Sequence, residues 1–348
     1  MKILTASLIL ATIPGGTALS TEYKADRALR MEIESTLKME TTTMDIVRDG
    51  EPMDAHGGGM SSETTHKEVH VDKVVEAKDG KPTKVHRTFE KVSGKMSRSM
   101  GDNSNDSEID CPLDGVTLEI KRDADGKVQA AAVEGKAPDA KLLENHVPDN
   151  FLDGLLPEGD AKADMSWDLD PEAIKRALRL DVTPALYPRP ERPEGGGEGG
   201  GGRRRGGGRM GGGDTAFMQM AEWKGKAKLV ALDKDVDGVA CAVIELKLEA
   251  SGDLPEPEMG GRRGDRAFEP AMPGFSAAKN TYDANLEGKF LFAVKARRPV
   301  SLELEGTAKL ETTRETTRDD HTMKFHVVVE GNATYKVAVS EESAKAEK

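Results

Sequence analysis

The chain has 348 residues, a formal charge of −12, aromatics at 4% and 37 glycines. That acidity excludes a general attraction to nucleic acid or anionic lipid, and so few aromatics leave a good part of the chain outside any core. No stretch is apolar for the ~20 residues that a helical span requires, so the chain is not expected to span a membrane.

Met1–Ser20 reads as a secretory signal: Lys2 is the charged start, Ile3–Ile13 the apolar run, and Ala18-Leu19-Ser20 the small residues before a cut. The mature product then begins at Thr21 with a charge of −13, Lys2 having been lost, and is periplasmic or secreted. No cysteine follows the cut, so no lipid anchor is expected there.

From Arg27 to Met39 the odd positions Leu29, Met31, Ile33, Leu37 and Met39 are apolar and the even ones charged or polar, the mark of a strand with one buried face. The phase slips near Met44 and Ile46, which predicts a bulge or the strand's end. Thr65–Ala77 and Lys84–Met100 flank the hairpin turn Asp79-Gly80, and Val116–Lys121 and Val128–Glu134 flank Asp123-Ala124-Asp125-Gly126. Across these N-terminal strands charged residues align with charged ones, which predicts a wetter sheet here than near the C-terminus.

The middle of the chain is helical in character. Ala140–His146 and Asp149–Leu156 predict short helices, and Asp170 caps another with Pro171 in its first turn and Ile174, Ala177 and Leu178 on one face. The segment Leu156–Trp167, with Leu156-Pro157 and Trp167 before a strand, and the later turn Asp237-Gly238-Val239-Ala240 resemble a family of secreted β-rich bacterial proteins of unknown function, abundant in planctomycetes. The resemblance covers residues 140 to 340 and implies a secreted β domain without supplying a catalytic residue.

Thr183–Asp214 is rich in proline, glycine and arginine and predicts a disordered insertion, as does Gly252–Gly274. Between Arg189 and Asp214 six arginines meet four carboxylates with no aromatic among them, a poor fit to nucleic-acid binding and a good one to a tether. Arg263-Gly264-Asp265 is too short a match to carry weight.

Five long stripes follow. Phe217–Leu232 reads as one strand with Phe217, Ala221, Trp223, Ala227, Leu229 and Ala231 on one face, and Ala240–Leu248 as its partner. Tyr282–Val294 and Val300–Leu310 alternate as a long hairpin, and Met323–Val339 adds another strand. The whole predicts a mainly β fold of about ten long antiparallel strands in a curled sheet, half-barrel or clam, with two or three short helices packed on it. The expected divisions are the signal 1–20, an N-terminal part 21–182 with helical segment 140–180, the insertion 183–215, a C-terminal part 216–340 with loop 252–274, and a tail 341–348.

No nucleophile elbow, phosphate loop or zinc framework appears, so neither enzyme nor cofactor is expected. Asp233–Gly238 has the alternating carboxylates of a calcium loop, but its twelfth position is Ile244 and its flanks are strands, so it reads as a hairpin turn. His66 and His70 share a strand face about 13 Å apart, too far to share a metal, and all seven histidines read as surface or structural. Cys111 and Cys241 are a candidate disulfide in an oxidising compartment, or else two small buried hydrophobes.

Two functions fit. The inner stripe Tyr282, Phe290, Phe292, Leu302, Leu304, Phe325, Val327 and Tyr335 would line a cavity for a lipid or other apolar ligand if the sheet is hollow, an architecture with a weaker likeness to lipoprotein-carrier half-barrels. If the same stripe is filled core, the protein is a structural or interaction module of the cell envelope, with an envelope protein as partner.

Overall fold

The computed structural model describes residues 16–53, 59–188, 216–254, 279–318 and 321–342. The apolar run of the signal, most of the two insertions, His56 and most of the tail lie outside the described residues. Fifteen strands are described: β1 (Thr17–Ala18), β2 (Ala28–Arg48), β3 (Glu51–Met53), β4 (Met60–Lys78), β5 (Lys81–Met100), β6 (Asn103–Ile109), β7 (Thr117–Arg122), β8 (Val128–Glu134), β9 (Asp160–Ala161), β10 (Ser166–Leu169), β11 (Trp223–Val236), β12 (Val239–Leu254), β13 (Lys279–Ala293), β14 (Arg298–Arg318) and β15 (His321–Glu341). Three short helices accompany them: α1 (Pro171–Ala177), α2 (Thr183–Leu186) and α3 (Ala216–Met220).

Thirteen strands form one antiparallel sheet in the order β10-β11-β12-β13-β14-β15-β2-β4-β5-β7-β8, with β3 on β2 and β6 on β5. The sheet is open, since β10 and β8 end the path without meeting. Chain order and sheet order nearly coincide within each half, because tight hairpins connect successive strands. Asp79-Gly80 and Asp237-Gly238 both take positive φ at the two central positions, +52° and +74°, then +54° and +81°. Those are the backbone signs of the turns that match strand twist. Asp49-Gly50, at +52° and +88°, makes the same turn between β2 and β3.

The phase slip of β2 is a bulge. Val329 pairs with Thr41 and Val328 with Thr43, so one residue of β2 is left over and the strand continues to Arg48 with its inward parity restored. Across β13, β14 and β15 the inward row steps through Gly288, Gly306 and Gly331. A Cβ on Gly306 would lie 1.8 Å from the carbonyl oxygen of Asn285 on the neighbouring strand, and one on Gly331 1.7 Å from that of Lys38. Glycine is needed at both because the strand backbones approach too closely for any side chain, as at the bends of a strongly curled sheet.

A single short helix demonstrates the curl. Gly225 of β11 and Leu248 of β12 pack against Ile174 of α1, while Arg179, just past the end of the same helix, bonds Glu68 of β4. Five strand spacings separate β12 from β4, ~24 Å along a flat sheet, whereas five helical residues rise only ~8 Å. The sheet therefore folds around the helix, and its inner face, with α1, α3 and the turns at Phe151–Leu155, makes the main core. A smaller core gathers Phe89, Val92, Leu118, Ile120, Val182 and Leu186.

Several expectations change. Phe217 belongs to helix α3, and the strand starts only at Trp223. Trp223 donates its indole N–H to the Met218 carbonyl at 3.0 Å, and the Tyr282 hydroxyl accepts from the Glu222 amide at 2.6 Å, which turns the chain before it enters the sheet. The first residues of the proline-rich tract are ordered, because Ala185 and Leu186 of α2 are buried. Asp164, at φ +61°, makes the turn before Trp167. At the N-terminus, β1 pairs with β9, Leu19 is 2% exposed in the main core and Arg297 bonds the Ser20 carbonyl, so residues assigned to the end of the signal are part of the fold.

Replacing Gly306 by alanine should cost about 3 kcal/mol, because a backbone carbonyl cannot rotate away as a side chain can. Urea denaturation of Gly306→Ala beside the parent measures it, with Thr307→Ala as a nearby control of small effect.

Candidate functional site

The inward face changes character where β2 meets β4. Register carries Ile244 of β12 through Phe290, Leu302, Val337 and Ile33 to Glu68, and the next row through Val339 and Met31 to His70. Apolar residues thus give way to Thr64, His66, Glu68, His70 and Asp72, while Val69, Val71 and Val75 of the same strand are only half-buried on the opposite face. The expectation of a wetter N-terminal sheet is corrected: the polar face of β4 is the buried one, because the curl brings α1 and the loop before it down onto it.

The charges there are paired. Arg87 of β5 donates from Nε and Nη2 to the two oxygens of Asp72, both at 2.7 Å, and also reaches the Val147 carbonyl at 3.4 Å. Arg179 donates from Nη2 to Glu68 Oε1 at 2.7 Å and lies over the Phe151 ring, 5.0 Å from its centroid. His70 Nδ1 stands 2.7 Å from that same Glu68 oxygen, off the line of a hydrogen bond. Phe89 and Phe151 flank the His70 ring, and Phe89 meets His146 edge-on at 5.9 Å. Two guanidinium groups thus match two carboxylates in a dry setting, where losing one partner is far costlier than exchanging the whole pair for apolar residues.

Arg179 holds its place at a conformational cost. It follows the last turn of α1 with φ +59°, the position where glycine ordinarily ends a helix, and the Leu180 amide donates back to the Lys175 carbonyl at 2.9 Å. A non-glycine residue there costs ~1 kcal/mol or more. In exchange the guanidinium turns inward to Glu68.

Burial would raise the Glu68 carboxyl, but the Arg179 guanidinium, with His70 and Arg87 beyond it, holds it well below the usual carboxylate range. Asp72 is likewise held low: burial opposes ionisation and Arg87 outweighs it. Burial pushes His66 down to about 4. Burial, with Arg87 and Arg179 adding to it, takes His146 down to about 3. At neutral pH the two carboxylates are therefore charged and these two imidazoles neutral.

Beside the network a cavity of about 20 Å³ is lined by Ser35, His66, Glu68, Arg179, Tyr187 and Tyr335, among others. That is the room of a single water molecule. The Tyr335 hydroxyl and Arg179 Nε are buried there without a hydrogen-bond partner in the protein. Tyr187 closes one side, stacked on His66 with ring centroids 3.9 Å apart.

The eight residues of the expected cavity lining separate into two groups. Tyr282, Phe290, Phe292, Leu302, Leu304 and Tyr335 are all 5% exposed or less and belong to the main core, packed against helical residues and against one another. Val327 is buried and Phe325 half-buried farther along β15, toward the end of the sheet where β2 turns into β3. There the inward rows run Arg314, Phe325, Ile46, Met53, and Thr316, Met323, Arg48, Glu51. These side chains are half- to well exposed where the structure describes them, with Met53 at 44%.

Cys111 and Cys241 are free thiols. Cys111 donates to the Ile109 carbonyl at 3.3 Å, and its thiol is pushed up to about 11 by burial and by Asp110 and Asp114. Among the described residues no group of three His, Cys, Asp or Glu side chains is placed to hold a metal ion, and no helix is long and apolar enough to cross a membrane.

The sequence analysis missed Glu68, Asp72, Arg87 and Arg179 as a group. The signal that could have found them is the strict polar parity of Thr64, His66, Glu68, His70 and Asp72, read with the register from Ile33 that sets them on the core face.

No protein-family model matches the chain, and no curated protein matches it. Among solved structures, the chain is similar to a Pseudomonas aeruginosa FadL homologue at 7% identity, over 91% of this chain and 90% of that one, with a TM-score of 0.20. A score at that level gives no argument for a shared fold or activity.

Arg87→Met should destabilise the protein by about 3 to 5 kcal/mol by leaving Asp72 unpaired, and adding Asp72→Leu should restore most of the loss. Denaturant midpoints of the single and double variants test this. A pH dependence follows from the histidines. The unfolded chain takes up their protons near 6.5 while the folded chain resists until about 4 for His66 and about 3 for His146. The unfolded state thus binds more protons between those values, and stability falls as pH drops through that window. Thermal melts from neutral pH to pH 4 should decline, and His146→Phe should flatten part of the slope.

Proposed function

We propose that the protein is an exported, non-enzymatic interaction module of the cell envelope with a solid interior, and that it works through its surfaces. The observation that carries this reading is the packing of Tyr282, Phe290, Phe292, Leu302, Leu304 and Tyr335 into one continuous core. A carrier would need these side chains to part around an acyl chain. Their separation would expose several large apolar groups, each stabilised by ~1.5–3 kcal/mol through burial.

The buried network supports the same reading. Its carboxylates are engaged by arginines, and the adjoining space admits a water, with no cleft there for a substrate. The charged start and apolar run of the N-terminus support export, as does the resemblance to secreted β-rich proteins.

Native mass spectrometry of protein purified from an exporting host, with lipid extraction in parallel, tests the proposal. The expected result is the bare polypeptide mass and no thermal stabilisation by added amphiphiles. A lipid retained at fixed stoichiometry would overturn it in favour of the carrier.

A further inference from the structure

The first strand lies where the sequence places the end of a cleaved signal. β1 pairs with β9, Thr17 opposite Ala161 and Ala18 opposite Asp160, and a Cβ on Gly16 would lie 2.4 Å from the Cβ of Asp160. Leu19 is 2% exposed and belongs to the main core with Phe151, Leu152, Leu155 and Ala161. Removing a leucine from such a position loses its burial and leaves a cavity as well.

The residues that follow Leu19 are tied to both sides of the fold. Arg297, in the turn between β13 and β14, donates from Nε to the Ser20 carbonyl at 3.2 Å and from Nη2 to the Ser20 hydroxyl at 2.5 Å, and its own carbonyl accepts from the Glu22 amide at 2.9 Å. Arg27 adds bonds to the carbonyls of Glu22 and Ala296 at 2.8 and 2.9 Å. On the other side, the Thr21 hydroxyl donates to Asp153 at 2.5 Å and the Tyr23 hydroxyl donates to the second oxygen of that carboxylate. Thr17–Tyr23 is thus a strap from the β13–β14 turn of the sheet to the Phe151–Leu155 turn and β9 of its cover.

This geometry discriminates among cuts that the sequence alone permits. A cut after Ser20 removes β1 and Leu19 and places a charged α-amino group on Thr21, which is 8% exposed. Both oxygens of the carboxylate bonded to that residue, Asp153, are already engaged by hydroxyls, and a buried charge is costly unless paired. A cut after Ala18, where Gly16 and Ala18 satisfy the small-residue rule, puts the same charge on the buried Leu19. A cut ahead of Thr17 leaves the strap whole and its new charge on a half-exposed residue. Gly15 and Gly16 supply small residues there, just past the apolar run Ile3–Ile13 and Pro14.

We infer that export processing cuts this chain ahead of Thr17, and that Thr17–Ser20 stays in the mature protein as its first strand, with Leu19 anchoring the strap in the core. The inference rests on the exported reading and assigns its processing site. It moves the cut at least four residues upstream of the one expected after Ser20.

The test expresses the full chain in an exporting host and reads the N-terminus of the exported product by intact mass and N-terminal sequencing. The expected first residue is Thr17 or one shortly ahead of it. A product that begins at Ala18 or later, Thr21 included, overturns the inference and leaves the exported reading standing, whereas retention of Met1 removes the exported reading beneath it. Leu19→Ala, exported in parallel, supplies a second readout. It should change the mass of the mature product by the Leu-to-Ala difference and lower its melting temperature by about 5 °C or more. Products identical to the parent in mass and melting would show that Leu19 is cut away, and a retained Leu19 whose replacement leaves melting unchanged would overturn the anchoring. If the variant fails to accumulate, the N-terminus of the parent decides by itself.

Discussion

An arginine–carboxylate pair, Arg179 with Glu68, holds the curled sheet to its helical cover, and beside it Arg87 joins β5 to Asp72 of β4 while reaching the Val147 carbonyl of the cover. A slip of β4 by one residue against β2 would turn Val69 and Val71 inward and Glu68 and Asp72 out. On apolarity alone, that alternative would look favourable. It would also leave both guanidinium groups dry and without a counter-charge, which is why the charged face of β4 can specify register where an apolar face would do so only through packing. The strained backbone of Arg179 belongs to the same arrangement, since the left-handed turn at the end of α1 is what directs its side chain to the sheet.

The same geometry explains why the interior is solid. Curling around α1 leaves a narrow concave space, and at the glycines 288, 306 and 331 the neighbouring strand backbone lies too close for any side chain. Phe290, Phe292 and Leu302 fill what remains together with Phe151, Leu155 and Ile174. Strands of 21 residues outrun this filling. Their far ends keep the inward parity of the core strands with less to cover them, so the apolar face reappears, half-exposed, at one end of the sheet.

The open sheet must also avoid adding further strands. The β6 edge is the polar run Asn103–Ile109, exposed throughout except at Ile109. The other edges among the described strands, β3, β8 and β10, are short. Short and polar edges are common ways of blunting an open sheet.

Local rules made much of this fold legible. Period-two stripes located β2 and β12 to β15, Asp-Gly pairs located the hairpins β4–β5, β7–β8 and β11–β12, and Asp170-Pro171 located α1, because each depends on a few neighbouring residues. The failures have a common cause. Phe217 fits a strand stripe as well as it fits α3, and only the bond from Trp223 to Met218 and the Tyr282 hydroxyl near Glu222 turn the chain there. The polar parity of β4 was visible in the sequence, yet its face was not, since the side of a strand that becomes buried is set by what the sheet curls around. The aromatic stripe was equally visible, but whether it enclosed space or filled it depended on how far α1 and the Phe151 turn descended onto it. Alternation along one strand is decided within a few residues by backbone geometry, whereas the pairing of Arg179 with Glu68 and the covering of the aromatic stripe join residues more than a hundred positions apart, and only the tertiary structure brings those together.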